Sequence, residues 1–125
     1  MPHTTPDEAY THAPSIVREI GAIAELSASY SYAGAVPREL WLRKAALVDR
    51  IALHEVATYA PEVAAPAVRA AEAAAFQLLA YDEKHGTHCG RFSPDSLSSS
   101  DSTDDPGHRA YVRQEYLAWN SAEDA

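Results

Sequence analysis

The chain is poor in cysteine, glycine, methionine and phenylalanine, with one, five, one and two of each among 125 residues. A single cysteine excludes an intramolecular disulfide framework and suits a reducing compartment, so a cytoplasmic protein is expected. Few glycines, and no Asn-Gly or Asp-Gly pair, argue against a hairpin-rich sheet. Basic residues are the minority, 10 against 18 acidic, for a formal net charge of -8. That balance disfavours nucleic acid as a partner. No unbroken apolar run approaches the roughly 20 residues of a membrane span, so no membrane association is expected. A basic region followed by an apolar stretch is missing at the start, so no signal peptide is expected.

What the chain has in quantity is alanine, about a fifth of the residues, concentrated between Ala45 and Ala80. Alanine is the strongest helix former. With 46% hydrophobic and 22% charged residues, the composition is that of one globular domain. The expectation is an all-α bundle of three long helices plus a C-terminal helix, joined by a long acidic loop.

Thr5-Pro6-Asp7-Glu8 reads as a capping box with proline at N1, predicting a short helical turn through Tyr10 within an N-terminal arm, 1–13. A helix over 15–33 follows, with Ile16, Ile20, Ile23, Ser27 and Tyr30 on one face and Gly34 as its stop. The next, over 37–59, is apolar around much of its girth and should be central. Pro61 and Pro66 are placed at the start of a third, running over 67–85 with Val68, Ala71, Ala75, Leu78 and Leu79 inward and Gly86 as its cap. These helices form a core over 15–86. The Ser/Asp-rich stretch 87–105 reads as a flexible linker. The last helix covers 106–120, with Val112, Tyr116 and Trp119 on one face.

Catalytic motifs fail on spacing. His54-Glu55 lacks the second histidine of a zincin, because Thr58 stands there. No glutamate has a histidine three positions later, as a di-iron bundle requires. Arg50 and His54 resemble the Arg–His pair of HEPN-type helical ribonucleases, but three residues separate them where those motifs place four to six. No catalytic residue is assigned and no cofactor is expected. The one candidate metal set is Asp82, His85, His88 and Cys89, with adjacent ligands at 88 and 89 awkward for one tetrahedral ion.

Arg43, Arg50 and His54 fall within a narrow arc (i, i+7, i+11), with Arg38 and Lys44 nearby. This stripe either contacts an anion, such as a DNA phosphate, or pairs with carboxylates of neighbouring helices. Glu72, between Val68 and Leu79, would be such a carboxylate and calls for an arginine partner. Trp41, Tyr111, Tyr116 and Trp119 are residue types that dominate contact hot spots; they form the expected partner-binding set unless the last helix folds back to complete the core.

The segments 41–53 and 105–119 resemble those of small helical proteins of actinomycetes. The resemblance implies a cytoplasmic bacterial protein of regulatory or accessory type and brings no activity with it. The expected function is a non-enzymatic interaction module that presents a helical surface to a protein partner or to a second copy of itself. The alternatives are a metal-binding or hydrolytic enzyme and a DNA-associated regulator.

Overall fold

The computed structural model describes residues 4–30, 36–87 and 107–124. Among these residues the chain is all α, with five helices. They are α1 (Pro6–Tyr10), α2 (Ile16–Tyr30), α3 (Arg38–Thr58), α4 (Pro61–His85) and α5 (Gly107–Asp124). The expected linker lies outside the described residues apart from Thr87, as do Gly34, His88, Cys89 and Pro106.

Local chemistry sets several boundaries. At α1 the Thr5 hydroxyl accepts from the Glu8 amide at 3.1 Å, while the Glu8 carboxylate accepts from the Thr5 amide at 2.9 Å. Two otherwise orphaned donors are thereby satisfied. At the other end of the core Gly86 takes the left-handed conformation, φ 64°, and its amide closes onto the Asp82 carbonyl at 2.7 Å. A side chain is strained at that φ, so glycine belongs there. Helix α4 begins at Pro61, earlier than the sequence pattern suggests, and runs through Pro66. Pro66 is exposed, so solvent can reach the backbone carbonyl that the ring leaves without a donor.

Helix α3 is central, packing against α2, α4 and α5, as its apolar girth predicts. The α3–α4 interface is built largely of alanine: Ala45, Ala46, Ala71, Ala74 and Ala75 are buried between Leu42, Leu78 and Leu79. Small side chains let the two helix backbones approach closely, and the leucines supply most of the apolar burial, about 1.5–3 kcal/mol each. Helix α5 folds back onto this pair, and α1 packs on α5.

One expectation is corrected in part. The buried residue of α2 is Glu19, whereas Ile20 is exposed. The covered face follows positions 16, 19, 23, 26 and 30: Ile16, Ile23 and Tyr30 of the expected stripe stay on it, while Ile20 and Ser27 are exposed. Helix α4 has a mean hydropathy high enough to cross a membrane by length and composition alone, although it lacks an unbroken apolar run. Alanine raises the average without forming a run of large apolar side chains.

Leu78 is fully buried, so Leu78→Ala is expected to cost about 2–5 kcal/mol. Urea unfolding checks this: the midpoint should fall with the slope unchanged. Gly86→Ala should cost about 1 kcal/mol through its backbone alone.

Candidate interaction surface

Among the described residues four carboxylates are buried, and each meets an arginine. Asp49 of α3 accepts from both Nε and Nη2 of Arg113 at 2.9 Å, from Arg109 Nε, and from the Tyr10 hydroxyl at 2.7 Å. One side chain thus joins α1, α3 and α5. Asp82 of α4 is gripped by Arg38 through Nε and Nη2, both at 2.7 Å, and also accepts from Thr87 and from the Tyr111 hydroxyl. The same Arg38 Nη2 reaches Glu115 of α5 at 2.7 Å, and Gln114 donates to the other Glu115 oxygen at 2.8 Å. Arg43 holds Glu19 of α2 through two bonds of 2.9 and 3.0 Å, reaches Glu39 at 2.9 Å, and lies over the Trp119 ring at 5.4 Å. Bidentate guanidinium–carboxylate pairs fix geometry as well as charge.

These surroundings move the titrations. Burial alone would raise the Asp49 carboxyl, but the Arg113 and Arg109 charges and hydrogen bonds, with the Tyr10 hydroxyl, hold it below its ordinary value. Burial also works against the Asp82 carboxylate, and the bonds from Arg38, Tyr111 and Thr87 outweigh it. Tyr10 and Tyr111 are pushed up by burial and by the carboxylates they donate to. Tyr116 is raised by burial and by the charge of Glu19.

The expected site residues can now be placed. Tyr111 and Tyr116 are buried in the core, so they are removed from the contact set; the last helix uses them to complete the bundle. Trp41 and Trp119 are half-buried against that core. Arg43 pairs with a neighbouring helix, one of the two alternatives for its stripe. Arg50 instead donates to the Pro14 carbonyl at 2.7 Å and lies over the Tyr10 ring at 5.7 Å. His54 is exposed. Glu72 is exposed and makes no ion pair among the described residues, so the arginine-seeking carboxylate of α4 is Asp82 instead. The metal set does not assemble on what is described: Asp82 is occupied by Arg38, while His85 is exposed with its ring 4.3 Å from that of Tyr81. Among the described residues no group of three or more His, Cys, Asp or Glu side chains could hold a metal ion.

Among the described residues, none of these anchors reaches the tip of the α3–α4 hairpin. Helix α5 enters the bundle at the level of Asp49 and Phe76: Arg109 binds the first, and the His108 ring lies 5.6 Å from the second. The N-terminal segment meets α3 at Arg43 through Glu19, at Asp49 through Tyr10 and at Arg50 through the Pro14 carbonyl. Beyond that level, between positions 54 and 70, only Ala64 is buried. Val56 and Val63 are each 57% exposed and Tyr59 49%. Beside them lies a groove of about 370 Å³ lined by Val56, Tyr59, Ala64, Ala65 and Val68, with Arg69 at its edge. Sequence reasoning missed this surface because it ranked aromatic residues rather than asking which helices would reach the turn.

No family model, no curated protein and no solved structure matches the chain.

Asp49→Asn would leave Arg109 and Arg113 facing a neutral amide, at an expected cost of about 3–5 kcal/mol. Glu39→Gln, at a carboxylate 41% exposed, should cost about 0–1 kcal/mol. Because the folded-state values of Asp49 and Asp82 lie below their unfolded ones, their stabilisation is present above about pH 4 and is lost as the pH falls through the folded values. Acid unfolding followed by circular dichroism should therefore be blunted in Asp49→Asn. In a spectrophotometric titration Tyr10, Tyr111 and Tyr116 should ionise later than ordinary tyrosine.

Proposed function

We propose that the chain is a non-enzymatic interaction module of regulatory or accessory type, presenting the tip of its α3–α4 hairpin to a protein partner. The observation that carries this reading is the cluster of Val56, Tyr59 and Val63, held in solvent on a rigid two-helix support beside an apolar groove. Clustered exposed apolar side chains of this kind mark contact surfaces. Each would bury more apolar area on contact than it does in the free chain.

The ionisable groups support the same reading. The buried carboxylates Glu19, Asp49, Asp82 and Glu115 are each bonded to an arginine inside the bundle. Of the basic set considered for DNA, Arg38 and Arg43 are occupied by Asp82, Glu115, Glu19 and Glu39, Arg50 bonds the Pro14 carbonyl, and Lys44 is exposed. The partner that suits the groove is an apolar helix or strand carrying a carboxylate for Arg69, which makes no ion pair among the described residues. A reducing compartment such as the cytoplasm fits the single cysteine.

Affinity purification of the full chain from its native host, beside a Val56→Asp/Val63→Asp variant, tests the reading. Both positions are exposed, so helicity should be unchanged. A partner recovered in near-equimolar amount with the parent chain should be lost with the variant. Equal recovery with both chains would overturn the assignment of the tip.

A further inference from the structure

Helix α4 is 25 residues long, yet its most apolar 18-residue window is only 33% buried. The side turned away from α3 and α5 follows positions 62, 66, 69, 73, 77, 80 and 84, spaced by three and four and all exposed. Phe76 flanks that line at 56% exposure. Beside it, a groove of about 330 Å³ opens between Trp41 of α3 and Phe76, Gln77, Ala80 and Lys84 of α4. The face carries Arg69 near its middle, and Glu72 is exposed at its margin beside Ala73. Glu62 stands near one end and Lys84 near the other, and neither makes an ion pair among the described residues.

We propose that this outer face of α4 is a homodimer interface, packing antiparallel on the same face of a second copy about a two-fold axis at Ala73. The charge pattern selects both the occupant and its direction. Glu62 and Lys84 are equally far from Ala73 along the helix, about 16 Å at 1.5 Å per residue. A two-fold axis there sets each glutamate against the other copy's lysine, twice. It also sets Arg69 level with Gln77 of the other copy, while the small side chains of Ala73 and Ala80 permit close approach. A parallel arrangement would set Glu62 on Glu62 and Lys84 on Lys84. A face complementary to itself under a two-fold rotation is what an isologous dimer requires. The inference goes beyond the tip reading and needs no occupant in the tip groove, although Arg69 borders both surfaces.

Sedimentation equilibrium of the full chain over a micromolar concentration series tests it. A monomer–dimer equilibrium is expected. Ala73→Glu should abolish it with helicity intact, since Ala73 is exposed. Glu62→Lys and Lys84→Glu should each weaken association roughly tenfold, and the double exchange should restore it. Val56→Asp/Val63→Asp should leave the dimer in place, which separates this result from that of the tip. A chain that is monomeric throughout, a dimer indifferent to Ala73→Glu, or a double exchange no better than the single changes would overturn the proposal. So would Ala73-dependent binding to phosphatidylcholine–phosphatidylglycerol vesicles by a monomeric chain, which would assign the face to a lipid surface instead.

Discussion

The Asp49 carboxylate is the point at which three parts of the chain, distant in sequence, become one body. Tyr10 reaches it from α1, and Arg109 and Arg113 reach it from α5. Taking a carboxylate out of water costs several kcal/mol, which two guanidiniums and a hydroxyl offset only if all keep their positions. The site therefore sets the position of α5 along α3 more tightly than apolar contact would. Alanine-rich surfaces can slide past one another with little change in buried area, whereas a bidentate pair shifted by one helical turn is broken.

The second and third carboxylate sites extend the same logic to the rest of the bundle. Arg38 joins the C-terminal end of α4 to α5 through Asp82 and Glu115, and Arg43 ties α2 to α3 through Glu19. These contacts are not simple additions to stability, since a well-packed apolar set of similar volume can be equally or more stable. Their clearest consequence is positional. In a core whose α3–α4 seam is mostly alanine, charge supplies the register that shape alone would leave loose.

Much of the helical framework was legible because its signals are local. The Thr5 capping box, the Gly86 stop and the central role of α3 follow from short-range chemistry and from apolar girth. One shortfall is the position of the buried carboxylates. Glu19 was set off the buried face of α2, yet it stands on the 16-19-23-26-30 line. Asp49 continues the seam of Leu42, Ala45, Ala46 and Ala52, Asp82 that of Ala75, Leu78 and Leu79, and Glu115 that of Tyr111, Val112 and Trp119. A carboxylate recurring on an apolar stripe in helix after helix, in a chain whose bases are mostly arginine, was the available signal. Glu72 shows its limit. It too borders apolar positions, but it lies exposed, and only the arrangement of the neighbouring helices distinguishes it from Asp82.

The same lattice decides which surface is left for other molecules. Because Asp49 fixes Arg109, α5 begins partway along the hairpin and the α3–α4 turn projects past it. Were α5 set two turns nearer the turn, Tyr111 and Tyr116 would lose their pocket and Val56 and Val68 would gain cover. The exposed valines are thus not surplus apolar residues scattered on a surface. Their exposure follows from where the buried charges stop α5, and the outer side of α4 stays open because the polar anchors draw α5 toward its inner side. The ion pairs thus set which apolar side chains stay exposed without touching them.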